Sequence, residues 1–264
     1  MSQITLPNDP HQQGAERLNR MITSAARKLE PLPTGHPCQG CEVRDRAVCG
    51  VLDCTDLARF KSMGWTLKLT PGQALFHEGD PATRVFTLTT GTLKLYKLLA
   101  DGRRQITGFV HPGDFLGISV DDEHAFTAEA MENSQLCWFP SSRFDDFVED
   151  EAVMERELYR LAAHELAAAQ QQFVLLGRKT AKERIASFLL SLEKKAQRPG
   201  EATCGLVRLP MSRSDIADYL GLTKETVSRV ISALKRDHIV RLEELNSIQI
   251  VDRDRLEQLA EATA

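Results

Sequence analysis

Ser212-Arg213-Ser214-Asp215-Ile216-Ala217-Asp218-Tyr219-Leu220-Gly221-Leu222-Thr223-Lys224-Glu225-Thr226-Val227-Ser228-Arg229-Val230-Ile231 carries the most specific pattern in the chain. Ser212, with a carboxylate three residues on at Asp215, marks a helix start of the capping-box kind. Ile216, Ala217 and Leu220 give that helix an apolar face, Gly221-Leu222 predicts a sharp turn, and Thr223 can cap a second helix. In the second helix Val227, Val230, Ile231 and Leu234 fall on one side, suited to a core. Glu225, Ser228 and Arg229 fall on another, at i, i+3 and i+4. A helix divided in this way suits the major groove of DNA. Arginine grips guanine O6 and N7 with two hydrogen bonds, and glutamate accepts from cytosine N4. Lys224, Lys235 and Arg236 are placed to neutralise phosphates, which supplies affinity rather than sequence reading. Thr226, Ser212 and Arg213 complete the candidate DNA-contacting set.

Charge agrees with this reading. Residues 178–241 carry 14 Lys and Arg against 7 Asp and Glu, whereas residues 1–177 carry 17 against 24. A basic segment beside an acidic body is what one nucleic-acid-facing module produces. At 264 residues the chain has room for two domains. It contains no apolar run long enough to span a bilayer and no hydrophobic signal segment after Met1, so it reads as cytoplasmic, without a membrane partner.

Upstream, short β-like runs at 67–69, 74–77, 85–89, 93–98, 105–110 and 127–129 are punctuated by Pro71-Gly72, Gly79-Asp80, Gly91, Asp101-Gly102 and Pro112-Gly113. Asp-Gly between alternating runs is a hairpin signal, and so many closely spaced strands predict a small antiparallel barrel or roll. Residues 142–177 then read as one long helix. Met154, Leu158, Leu161, Leu166, Ala169, Phe173 and Leu176 approximate a three-and-four repeat with an alanine-rich centre, a plausible dimer seam. Further helices are expected at 15–29, 55–63 and 180–197, and the tail reads as a β-hairpin followed by a short helix.

Cys38, Cys41, Cys49 and Cys54 fall within seventeen residues, while Cys137 and Cys204 stand apart. In a reducing compartment such a group is more often a metal site than a disulfide framework. Cys38-x2-Cys41-x7-Cys49 supplies three thiolates, and the fourth is Cys54 or Cys137. Four thiolates make either a zinc site or an iron–sulfur cluster. His36, beside these cysteines, could ligate a metal, but it reads rather as a solvated loop histidine.

The segment from Asp215 to Arg229 resembles the winged helix-turn-helix of the CRP–FNR family, and its Glu-Thr-Val-Ser-Arg core resembles the oxygen-responsive FNR branch. Pro112-Gly113-Asp114-Phe115-Leu116-Gly117 and Ala181-Lys182-Glu183-Arg184-Ile185-Ala186 are similar to other parts of that family. The resemblance implies an α+β protein with four parts: a cysteine-rich N-terminal extension (1–54), an antiparallel β-roll (55–142), a dimerisation helix (143–177) and a winged helix-turn-helix (178–264). It implies a homodimer seamed by Met154, Leu158, Leu161, Ala169 and Leu176. That dimer would bind a double-stranded palindrome of the form TTGAT-N4-ATCAA through Glu225, Ser228 and Arg229, and work with RNA polymerase. It also implies one [4Fe–4S] cluster per subunit on Cys38, Cys41, Cys49 and Cys137, whose loss to oxygen weakens the dimer and releases DNA. Many FNR proteins have five residues between the second and third cysteines; this chain has seven, as another subgroup does.

Rival readings are a regulator with a structural zinc and no oxygen switch, a cyclic-nucleotide-gated relative, and a cysteine-based redox enzyme or electron carrier. Relatives that bind cyclic nucleotide carry a Gly-Glu…Arg-Ser signature, but residues 117–127 hold neither the Glu nor the Arg-Ser pair, so no cyclic nucleotide is expected. Neither a phosphate-cradling glycine loop, nor a nucleophile elbow, nor a His/Glu hydrolase pattern supports an enzyme.

Overall fold

The roll forms where alternation and turn residues coincide. At Asp101-Gly102, Gly102 adopts φ 82°, which a Cβ would strain, and Leu99 N–H bonds to Arg103 O at 2.8 Å to close the hairpin. This computed structural model describes residues 32–36, 38–196, 205–243 and 246–261; the helix expected at 15–29 and Cys204 lie outside them.

Eight strands build the roll: β1 (Trp65–Leu69), β2 (Ala74–Phe76), β3 (Arg84–Thr90), β4 (Leu93–Leu98), β5 (Arg104–Val110), β6 (Phe115–Leu116), β7 (Thr127–Ala130) and β8 (Ser134–Pro140). They lie in two four-stranded antiparallel sheets, ordered β1-β8-β3-β6 and β2-β7-β4-β5. Phe76, Phe86, Leu88, Leu93 and Leu136 pack together as their core. β6 and β8 are additions to the expected strands. β8 sits between β1 and β3, setting Cys137 opposite Thr66 on one side and Thr87 on the other.

Ahead of the roll, Val48–Val51 makes a 3₁₀ turn and Cys54–Ser62 the helix α1, capped by the Asp53 carboxylate. After the roll the chain does not form one long helix. It breaks at Glu151 (φ −116°, ψ 85°) into α2 (Ser141–Asp150) and α3 (Ala152–Arg178). The break lets both pieces bury apolar groups in one cluster: Phe144 and Phe147 from α2 and Met154 from α3 join Val48, Leu52, Leu57, Phe60 and Phe139.

The C-terminal part comprises α4 (Ala181–Ala196), β9 (Leu206–Arg208), α5 (Arg213–Leu220), α6 (Lys224–Arg236), β10 (Val240–Leu242), β11 (Ser247–Ile250) and α7 (Arg253–Glu261). The tail hairpin β10–β11 gains β9 as a third strand, unforeseen in the sequence. Ile185, Leu189, Ile216, Leu220, Val227, Ile231, Leu234 and Leu256 share one core. At roughly 1.5–3 kcal/mol for each fully buried side chain, this packing rather than helix propensity fixes the angle between α5 and α6.

Candidate DNA interface and cysteine site

The turn between α5 and α6 follows from its residues. Ser212 Oγ accepts from Asp215 N–H at 3.1 Å, and the Asp215 carboxylate accepts from Ser212 N–H at 3.0 Å, a complete capping box. Gly221 ends α5 at φ 61°, a left-handed conformation that favours glycine. Thr223 Oγ1 accepts from Thr226 N–H to start α6. Val227, Ile231 and Leu234 are buried, while Lys224, Glu225, Ser228 and Arg229 are exposed. Arg229 Nη2 donates to Thr226 Oγ1 at 3.2 Å, which restrains the guanidinium against its own helix. Ser212 is exposed and Arg213 half-buried at the start of α5, so the two flank the α6 face instead of belonging to it.

What leaves α6 free is the way its partner helix is used. The hairpin β4–β5 reaches the outer side of α5. Arg104 donates to Asp218 Oδ2 at 2.7 and 2.9 Å and to Asp215 Oδ1 at 2.8 Å, and Gln105 Nε2 donates to Asp218 O at 2.6 Å. Lys94 Nζ lies 3.5 Å from Asp215 and 2.8 Å from Glu129. Phe109, Phe188 and Tyr219 close the contact with ring centroids 5.1–6.2 Å apart. The sequence-based reading did not single out Arg104, Lys94 or Asp218. Their pairing spans more than a hundred residues, and nothing local announces it.

The cysteines come from three places. Cys38 and Cys41 are the two ends of one turn, closed by Cys41 N–H bonding to Cys38 O at 3.2 Å; Cys49 lies in the 3₁₀ turn, and Cys137 in mid-sheet. Burial pushes the Cys49 thiol up to about 12, and Cys38, Cys41 and Cys137 add to the rise. Cys38 is also raised by burial, against the lowering charge of Lys61. Lys61 Nζ, from α1, approaches Cys137 Sγ at 3.3 Å. Cys54 opens α1, next to its cap. His36 is not a solvated loop histidine: its Nδ1 accepts from Cys38 N–H at 3.1 Å, and its Nε2 is buried with no partner among the described residues. Because Nδ1 accepts, Nε2 carries the proton in the neutral ring, so the site holds an unspent N–H donor.

Those observations suit a sulfur-rich anionic group: four thiols that feel one another, a lysine beside one of them, and a buried N–H donor. Among the described residues no three His, Cys, Asp or Glu side chains stand gathered for a metal ion. The thiols therefore neighbour one another without closing on a point.

The seam residues on α3 divide. Met154 is fully buried in its own chain's core, against Val48 and Leu52, and Leu158 and Leu161 lean on the same cluster. Ala169 is exposed and Leu176 half-buried. The large apolar groups that α3 leaves on its surface are Tyr159 (72 % exposed), Leu166 (62 %) and Phe173 (72 %), spaced by seven residues, with Val174 beside them. Met154 is therefore corrected from a seam residue to a core residue. A three-and-four repeat marks a stripe but not what it faces, and the first half of this stripe faces the cysteine loop.

Residues 183–259 match a Crp-like helix-turn-helix domain and residues 66–151 a cyclic nucleotide-binding domain. The chain is 41 % identical over 230 residues to the nitrogen fixation regulation protein FixK of Bradyrhizobium diazoefficiens, covering 87 % of this chain and 96 % of that one. It is 35 % identical over 232 residues to the transcriptional activator protein FnrL of Cereibacter sphaeroides, covering 86 % and 94 %. Among solved structures, FixK2 from Bradyrhizobium japonicum superposes with a TM-score of 0.70 at 37 % identity, covering 76 % of this chain and 99 % of that one. Among the described residues no helix is long and apolar enough to cross a membrane.

Proposed function

Since the chain belongs to the CRP–FNR family of DNA-binding transcription regulators, we propose that it acts as a homodimer on a TTGAT-N4-ATCAA palindrome, controlled by one [4Fe–4S] cluster per subunit. The observation that carries this reading is the pairing, in one chain, of an exposed Glu225–Ser228–Arg229 face with four thiols that lie within electrostatic reach of one another.

Cys38, Cys41, Cys49 and Cys137 would hold the cluster. When bound, it supplies an oxygen-removable tie between the N-terminal loop and β8. The chain's own packing carries the consequence. Val48 and Leu52 flank Cys49 and form the ground on which Met154, Leu158 and Leu161 rest. The loop's position therefore sets the seat of the first half of α3, whose far side presents Tyr159, Leu166 and Phe173 to a second copy. For the tie to control DNA binding, it must favour the dimer-forming seat over the alternative, since a ligand shifts an equilibrium only by its differential affinity. Once the dimer is on DNA, RNA polymerase is the partner through which it acts. Residues 117–127 carry Asp121, Asp122 and Glu123 and no Lys or Arg, which disfavours a cyclic phosphate there; cAMP is expected to leave DNA affinity unchanged.

The test is an anaerobic titration of the palindrome, and of a duplex with both half-sites scrambled, at two salt concentrations. Preference for the palindrome by about a thousandfold or more supports the reading. Equal affinity, with the same steep salt dependence for both duplexes, would leave only phosphate binding.

A further inference from the structure

We propose that Arg184 is a positioning residue for DNA reading: its guanidinium locks the C-terminal end of α3 to the turn between α5 and α6, and so fixes where the recognition helix sits relative to the dimer axis. This rests on the reading of α6 as the recognition helix and of α3 as the dimer helix.

Arg184 stands in the first turn of α4, just past the bend at Lys179–Thr180. Its Nε donates to Lys179 O at 2.9 Å and its Nη2 to Leu176 O at 2.9 Å, both at the end of α3. Its Nη1 donates to Leu220 O at 2.8 Å and to Gly221 O at 3.4 Å, at the end of α5. Every helix ends with carbonyls that have no partner within it, and with a negative dipole end. Two such ends meet here, and one planar cation serves both with charge-assisted bonds. Nearby, Gln172 Nε2 of α3 donates to Tyr219 O at 3.2 Å, a second stitch across the same joint. Lys179 Nζ donates to Ser187 Oγ at 2.8 Å and to Ala260 O at 2.7 Å, tying the bend to α4 and to the end of α7.

The placing of the acceptors gives the joint its purpose. Leu176 lies in the last turn of the helix that carries the exposed apolar stripe and Lys179 caps it; Leu220 and Gly221 end α5 and open the turn that leads into α6. A palindrome demands that two recognition helices meet half-sites at a set separation. One added base pair moves a half-site by about 3.4 Å and rotates it by roughly 35°. A joint that swivels would accept several spacings, whereas one clamped at both helix ends accepts one. Lysine at this position keeps the charge and the stem but offers a point donor, which cannot reach both ends with the fixed fork of arginine.

Three proteins are compared, wild type, Arg184→Lys and Arg184→Ala, each prepared anaerobically as the full chain. Each is titrated with duplexes carrying a single half-site and with palindromes having three, four or five base pairs between half-sites. Wild type is expected to prefer the four-base-pair spacer by about tenfold or more, a fraction of the usual specific-over-nonspecific ratio. Arg184→Lys is expected to narrow that preference to about twofold, with single half-site affinity unchanged and sedimentation showing the same dimer. Parallel loss on all four duplexes in both variants would show a merely structural role and overturn the proposal. So would a spacer preference that survives in Arg184→Lys and in a folded Arg184→Ala. A wild-type protein that prefers no palindrome over scrambled DNA would instead bring down the DNA-reading assignment, and the joint's role with it.

Discussion

Asp215 does two jobs at once, and removing it separates their sizes. Its carboxylate closes the capping box of α5 through Oδ2 while its Oδ1 receives Arg104 and Lys94 from the roll. Its side chain is only 10 % exposed. Asp215 is the N3 residue of the box, so its loss keeps the Ser212 cap bond and removes only the reciprocal one, towards the lower end of the about 0.5–2 kcal/mol that a lost N-cap costs, while breaking a buried pair by deleting one partner costs about 3–5 kcal/mol. Arg104 keeps Asp218 and Lys94 keeps Glu129, so neither cation is stranded and the second figure falls towards its lower end or below. Asp215→Ala is therefore expected to cost about 3 kcal/mol, which is roughly 6–12 °C in the melting midpoint. Asp218→Ala breaks Arg104's other contact at a more exposed site without touching a cap, and is expected to cost about 1 kcal/mol or less. The pH dependence has a definite sign. Burial alone would raise the Asp215 pKa, but the Ser212 hydrogen bonds, Lys94 and Arg104 outweigh it and hold the carboxyl below its ordinary value of 3.8. A carboxyl with a depressed folded pKa stabilises fully above its unfolded value and loses that contribution as pH falls through the folded one. The gap between wild type and Asp215→Ala, measured by circular dichroism melts, should be complete at pH 7 and shrink below about pH 4. An Asp215→Ala cost no greater than that of Asp218→Ala, or a gap unchanged at pH 3, would refute the double role.

Two further substitutions separate surface from core on α3. Phe173→Glu is expected to weaken self-association in sedimentation with little change in the melting midpoint. Met154→Ala is expected to cost about 2–5 kcal/mol of folding stability, because it empties a fully buried site. At the DNA interface, Arg229→Ala should cost about 1–3 kcal/mol on the palindrome and relax discrimination at one base pair. Lys224→Ala should lower affinity evenly across sequences and reduce the salt slope by about 1.

How much of this was legible depends on how local the determinants are. The α5–turn–α6 unit is written in adjacent residues: Ser212 and Asp215 for the start, Gly221 for the left-handed stop, Thr223 for the next cap. The roll's hairpins are announced in the same way by Asp-Gly and Pro-Gly. Long-range partners are not. β8 has an ordinary apolar alternation, and its central place follows only from pairing with both β1 and β3. That pairing, with the fold of the N-terminal loop, brings Cys137 into the electrostatic neighbourhood of Cys38 and Cys49, which spacing alone leaves open between Cys137 and Cys54. The break at Glu151 and the inward turn of Met154 depend on the cluster around Phe60 and Phe139, which the helical repeat does not describe. The contact from Arg104 to Asp215 and Asp218 is illegible for the same reason: ion pairs between distant segments leave no periodic trace.

Control of DNA binding by a cluster on Cys38, Cys41, Cys49 and Cys137 requires iron content and palindrome affinity to fall together. The measurement is one anaerobic preparation analysed for iron, sulfide and zinc and titrated with the palindrome before and after exposure to air, beside Cys54→Ser and Cys137→Ser. About four iron and four sulfide per chain are expected in wild type and Cys54→Ser and none in Cys137→Ser, with palindrome affinity falling as the iron is lost on aeration. Stoichiometric zinc without iron, lost in Cys54→Ser and kept in Cys137→Ser, with DNA affinity indifferent to air, would contradict that control.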